Sequence, residues 1–243
     1  MKIKVHTSYI GTTGYNAHAR GFFRALYELY PDLLIRNFSV DHTSMHLLND
    51  IDKKILSEQT LHDSNTSRSE YPMPWNSEIL DKERNIEKIN IVLNEVCHYY
   101  FYDNYMGPKI AYTVWESTLV QNDYINHLKT FDQVWVPTKW QKECFVNQGL
   151  PETIVHIVPE AVDSEFYPES VDRLDEYIDG RFKFLVFGRW DYRKSIHEII
   201  MSFLETFNKD EPVDLILSVD NPFSVDGLKS TEERLNHYGL SDP

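Results

Sequence analysis

The chain is 243 residues long and 42% apolar, enough to build the core of one large domain or of one and a half ordinary ones. Its 38 acidic residues against 24 basic ones leave a formal charge of −14, which opposes general binding to nucleic acid or anionic lipid; a phosphate-bearing small molecule would need a local basic pocket. Apolar runs fall short of a secretion signal and of the ~20 residues that span a bilayer, and Cys97 and Cys144 lack Cys-x-x-Cys spacing, so a soluble cytoplasmic chain with buried thiols is expected.

Residues 2–8 (KIKVHTS) alternate Ile3 and Val5 with polar side chains and run into IGTTG at residues 10–14, before apolar residues recur at helical spacing over residues 17–30. This predicts a first strand–turn–helix unit. Residues 33–40 predict a second strand. Residues 41–87 are polar, mixed in charge and interrupted by Pro72 and Pro74, which predicts a long insertion holding one short helix. Buried strands are predicted at residues 90–93, 110–115, 134–136 and 154–158, with a helix that follows Pro137 and Thr138 and closes at Gly149. Strands alternating with helices imply a parallel, doubly wound, Rossmann-like α/β domain over residues 1–165. An acidic, Pro-containing linker is expected at residues 166–180.

Residues 181–243 begin a second α/β unit. Phe182, Phe184, Leu185, Val186 and Phe187 form a short apolar run, Gly188 ends it, and Ile196, Ile199, Ile200, Phe203 and Leu204 then recur at helical spacing. Another strand is predicted at residues 213–219. A doubly wound layer needs about five strands with helices on each side, so this second domain is expected to be incomplete: it docks on the first domain, or the chain is truncated.

The turn after Gly188 puts Arg189 and Lys194 where backbone N–H groups and the positive end of a helix dipole favour an anion. Guanidinium binds two phosphate oxygens in a fork and ammonium acts as a mobile point charge, a pairing suited to a diphosphate. In the first unit, Gly11 and Gly14 would allow close backbone approach to a ligand, although their spacing is not the dinucleotide fingerprint. Trp115 and Glu116 follow the strand IAYTV, where a carboxylate faces the ligand crevice and an indole offers a platform for a sugar ring; the alternative is a helix N-cap region using Glu116 and Ser117.

Three segments, FDQVWVPTKWQKECFVNQG at residues 131–149, IVHIVPEAVDSEFYP at residues 154–168 and FKFLVFGRWDYRKSIHE at residues 182–198, resemble in order and spacing the family 4 retaining glycosyltransferases of the two-domain GT-B fold. That family shows a strand with "vwvPS", a helix, then "vipnGvD" and then "fvGR....KG". The resemblance implies a metal-independent, cofactor-free transferase that takes a nucleotide-diphospho-sugar donor and an acceptor that is a glycan, lipid or protein. It places the donor diphosphate at Gly188, Arg189 and Lys194, and the cleft or acceptor side at Thr13, Gly14 and Tyr15, with Trp115 standing where the family often has a histidine that contacts the transferred sugar. Glu160 and Ala161 replace the family's Asn-Gly in a hinge-side loop, so the turn is expected to change shape without glycine.

The family's paired glutamates, eight positions apart, would lie beyond Pro243. The matches Glu87 with Glu95 and Glu152 with Glu160 fall outside the second domain and are discarded. Asp50-Ile-Asp52 imitates a metal-binding Asp-x-Asp but is expected to be a solvated acidic turn, and His42 with His46 lacks the zincin glutamate. Two other classes stay open: a catalytically incomplete fragment or binding half, and a nucleotide-sugar epimerase of the same architecture.

Overall fold

The structure, a computed structural model, describes residues 2–31, 33–37, 48–59, 87–93, 106–162, 180–221, 227–228 and 230–240. The chain divides into two units, Met1–Phe166 and Tyr167–Pro243. Of the linker expected at residues 166–180, only Gly180 is described, and His42, His46, Glu95 and Cys97 also lie outside the described residues.

In the first unit, β1 (Lys2–Thr7), β2 (Leu34–Asn37), β3 (Lys88–Leu93), β4 (Lys109–Tyr112), β5 (Gln133–Val136) and β6 (Val155–Ile157) form a wholly parallel sheet in the order β2-β1-β3-β4-β5-β6. The helices are α1 (Gly14–Leu29), α2 (Asp50–Gln59), α3 (Asn122–Leu128) and α4 (Lys139–Asn147). Because side chains alternate along a strand, Val5, Ile91, Leu93, Ile110 and Tyr112 share one face, where they cluster with Ala19 and Phe23 of α1 and with Leu48. Val92, Ala111, Val134 and Val136 share the other face, against Tyr124, Ile125 and Leu128 of α3 and Phe145 of α4. Both faces are covered, so the sheet is doubly wound as expected, and burying each of the valine, leucine, isoleucine and phenylalanine side chains contributes about 1.5–3 kcal/mol.

Strands β4 and β6 are shorter than expected, β6 covering only Val155–Ile157 of residues 154–158. The one expected at residues 110–115 ends at Tyr112: the Thr113 N–H still donates to the Trp135 carbonyl of β5 (3.1 Å), but its carbonyl accepts from Gln141 Nε2 of α4 (2.9 Å) and its hydroxyl bonds the Tyr124 hydroxyl. The second strand, expected over residues 33–40, is described only at Leu34–Asn37.

The second unit holds β7 (Phe182–Arg189), α5 (Ile196–Thr206), β8 (Val213–Asp220) and α6 (Thr231–His237), with a single 3₁₀ turn at Tyr192–Lys194. β7 and β8 pair in parallel from Phe182 opposite Val213 to Arg189 opposite Asp220. Val186, Leu215 and Leu217 pack with Trp190, Ile196, Ile200 and Leu240, and Phe184 meets Phe203 of α5 and Phe207 just after it. Leu185 and Phe187 project to the opposite face, 67% and 80% exposed, so that face of β7 is bare among the described residues.

Candidate functional site

The strand order reverses at β1, which has β2 on one side and β3 on the other; in an open α/β sheet the ligand crevice lies at the carboxyl ends of the strands at such a reversal. Residues 8–13, leading from β1 into α1, occupy that place. Arg20 of α1 donates through one nitrogen to the carbonyls of Tyr9 (3.1 Å) and Gly11 (3.0 Å), and Asn16 Nδ2 donates to the Ser8 carbonyl (2.8 Å). Thr13 and Asn16 form a reciprocal capping box: the Asn16 N–H donates to Thr13 Oγ1 (3.3 Å) and the Thr13 N–H to Asn16 Oδ1 (3.0 Å).

Gly11 has φ +157°, and a Cβ there would overlap the Asn16 side-chain amide. Its close approach is therefore to the chain's own asparagine, which sequence reasoning about ligands missed; the Thr13-x-x-Asn16 spacing was the available signal. Around Gly14, by contrast, a Cβ would meet nothing within 4 Å. Thr13, Gly14 and Tyr15 are exposed at the start of a 16-residue helix whose first turn carries no acidic residue.

Trp115 is partly buried against the α3 side of the core; its ring lies 5.1 Å from Tyr124, and its Nε1–H donates to the Leu119 carbonyl (3.1 Å). Glu116 is exposed. The alternative role for this segment as a helix cap is corrected: α3 starts at Asn122 with Gln121 before it, while Ser117 accepts from the Leu119 N–H (3.1 Å) in a local turn.

A polar pair that the sequence did not signal lies at the same edge. His18 Nδ1 of α1 is 3.1 Å from Glu160 Oε1, in the loop after β6. Beside it the Tyr112 hydroxyl donates to the Val158 carbonyl (2.7 Å), and its pKa is pushed up to about 12 by burial and then by the Glu160 charge. Glu160 thus ties the loop to α1. Ala161 does not adopt the left-handed backbone, since Ser195 is the only non-glycine with positive φ among the described residues.

Asp52 overturns the expectation of a solvated acidic turn. It is fully buried, accepting from Arg24 Nε (2.7 Å) and a second guanidinium nitrogen (2.6 Å), from the Tyr9 hydroxyl (2.7 Å) and from the Asn49 N–H (3.2 Å). Asn49 Oδ1 in turn accepts from the Asp52 N–H (2.9 Å), so the acidic pair lies in the capped first turn of α2. Burial alone would raise the Asp52 pKa, but the Arg24 and Tyr9 hydrogen bonds outweigh it and hold the carboxyl below its ordinary range; burial and Asp52 push the Tyr9 phenol up. Asp50 is exposed. Among the described residues no group of three or more His, Cys, Asp or Glu could hold a metal ion, and Cys144 is a half-buried free thiol.

In the second unit, Gly188 (φ +140°) and Arg189 end β7, opposite Val219 and Asp220. The exposed Arg189 donates from Nε to Asp191 Oδ2 (2.8 Å), and Asp191 Oδ1 accepts from the Lys194 N–H (3.0 Å). The Lys194 ammonium is exposed and makes no hydrogen bond or ion pair among the described residues. Ser195, where the resembled family has glycine, takes φ +50°, ψ +37° and gives α5 no side-chain cap hydrogen bond.

No protein-family model and no curated protein matches this chain. Its fold is similar to solved structures. Anabaena Alr3699/HepE in complex with UDP-glucose matches with a TM-score of 0.65 at 13% identity, over 100% of this chain and 67% of that one. The same protein with UDP and glucose gives 0.66 at 12% identity. The apo lipopolysaccharide outer core galactosyltransferase WaaB gives 0.54 at 12%, covering 99% of this chain and 66% of that one. This chain therefore has an α/β, Rossmann-like fold that spans about two thirds of the length of these structures, and among the described residues no helix is long and apolar enough to cross a membrane.

Proposed function

We propose that this chain is a glycosyltransferase of the GT-B type that transfers a sugar from a nucleotide-diphospho-sugar, with UDP as the nucleotide to try first, to a glycan, lipid or protein acceptor. The observation that carries this is the strand–turn–helix of the second unit, which ends β7 on Gly188 and Arg189 and brings Lys194 to the uncapped start of α5, in a fold shared with a UDP-glucose complex. Breaking the donor's glycosidic bond leaves negative charge on the departing diphosphate. Fixed cations stabilise that charge more in the transition state than in the ground state, so Arg189 and Lys194 act there without a metal. Thr13, Gly14 and Tyr15 form the acceptor side, with Trp115 and Glu116 further along the same sheet edge. Retention of the anomeric configuration and a cytoplasmic location complete the proposal.

Calorimetry with UDP tests it. Replacing both Arg189 and Lys194 by alanine should weaken binding by up to several kcal/mol, since charge-assisted contacts contribute about 1.5–3 kcal/mol each. Equal affinity of wild type and double variant would refute the assignment.

A second proposal has its own observation, the bare Leu185 and Phe187 face of β7. On that view the chain binds nucleotide but needs further polypeptide for turnover. Sustained sugar transfer by the isolated chain, assayed with several nucleotide sugars, would contradict it; nucleotide release without acceptor would instead favour an epimerase.

A further inference from the structure

We infer that Asp191 is a positioning and specificity residue: it orients the Arg189 guanidinium, holds the turn that carries Lys194, and so tunes the pair toward a diphosphate over a single small anion. This rests on the diphosphate site proposed above.

One carboxylate reaches both basic positions by different routes. Its Oδ2 accepts from Arg189 Nε, which sets the direction of the guanidinium, while its Oδ1 accepts from the Lys194 backbone N–H, which sets the turn from which the ammonium extends. The turn is closed tightly: the Lys194 N–H also meets the Asp191 carbonyl (3.1 Å), the Ser195 N–H meets the Tyr192 carbonyl (3.1 Å), and Ser195 then adopts the left-handed backbone that redirects the chain into α5. The arginine side chain and the backbone from which the lysine extends are thereby ordered before any ligand arrives, which lowers the entropy lost on binding.

Placing an anion inside an anion site also has a second consequence. Arg189, Arg193 and Lys194 gather positive charge within six residues, and Asp191 offsets part of it. A small anion that meets one cation gains little against this offset, whereas a diphosphate that spans two gains from both. Asp191 stays charged throughout the neutral range, because the Arg189 hydrogen bond holds its pKa below the ordinary carboxylate value. With its side chain 21% exposed, it lies between the more open Arg189 and the body of the turn.

Calorimetric titration of the full chain with UDP and with inorganic phosphate, for wild type, Asp191→Asn, Arg189→Ala and the double variant, tests the inference. Asparagine keeps an oxygen for the Lys194 N–H but loses the charge that holds Arg189. UDP affinity should fall about tenfold in Asp191→Asn while phosphate affinity does not fall. In the Arg189→Ala background the same change should alter UDP affinity by less than about twofold, because Asp191 acts through Arg189. If Asp191→Asn unfolds the second unit, Asp191→Glu, which keeps the charge but displaces it, carries the same expectation. Wild-type binding that Asp191→Asn leaves unchanged or tightens would overturn the inference alone, as would a tenfold loss that persists without Arg189. Absence of UDP binding by wild type would overturn the diphosphate site and this inference together.

Discussion

The sheet of the first unit is covered on both faces, and a fully buried carboxylate ties its β1 edge to two helices; in the second unit one face of β7 is bare among the described residues, and a partly exposed carboxylate orders its edge. The difference separates a carboxylate that carries stability from one that carries little of it. Asp52 joins Tyr9, Arg24 and Asn49 out of water, where losing one partner strands the others. Asp191 joins Arg189 and the Lys194 backbone near solvent, where an ion pair adds little to stability, so its value lies in geometry.

The sharpest way to break this comparison is Asp52→Ala. With the Arg24 guanidinium and Tyr9 hydroxyl left beside a cavity, the first unit should lose about 3–5 kcal/mol. Hydrogen exchange resolved along the chain should show the loss in β1, α1 and α2 and none in β7 or β8; an equal loss in both units would contradict it. The same carboxylate sets a pH dependence. Its folded pKa lies below the unfolded value of about 4, so its contribution is fully present above that value and disappears as pH falls through the depressed folded one. Urea midpoints taken downward from pH 7 should therefore drop in wild type over this acid range, and less steeply in Asp52→Asn.

Gly11→Ala should come next, at about 2 kcal/mol, because the new methyl group meets the Asn16 amide and disrupts the cap of α1. Thermal unfolding measures the loss, and adding Asn16→Ala should relieve part of it. In the second unit, Ser195→Gly should act in the opposite direction and stabilise by about 1 kcal/mol, since glycine takes the left-handed backbone without steric cost. Phe187→Ser should change stability least, within about 0.5 kcal/mol, because the ring is already in water. A large loss in urea unfolding of Phe187→Ser would mean that the bare face is covered in solution.

How much of this the sequence disclosed depends on distance along the chain. The apolar runs of β1, β3, β5 and β7 and the helical spacing of α1 and α5 are local, so their elements follow from period alone. That Arg189 and Lys194 share one turn was legible for the same reason. Asp52 was not: its meaning comes from Tyr9 and Arg24, 43 and 28 residues away, and an Asp-x-Asp spacing carries no trace of them. The His18 and Glu160 pair joins α1 to the loop after β6 and is equally invisible to a local pattern. Gly11 was legible as a special position, but the atom it makes room for was not. Short helices such as α3 and α6, with seven residues each, offer too few turns for a period to stand out.

The inward turn of the β1 loop has an outcome for the kind of molecule that could rest on it. Three carbonyls in a row of four residues, those of Ser8, Tyr9 and Gly11, already receive N–H groups from Asn16 and Arg20. Oxygen atoms committed to the protein's own side chains are poorly placed to replace the water shell of a divalent ion, and at the tip the Thr13 N–H and hydroxyl are committed as well, both donating to Asn16 Oδ1. A loop braced in this way by α1 keeps its shape whether or not a molecule rests on it.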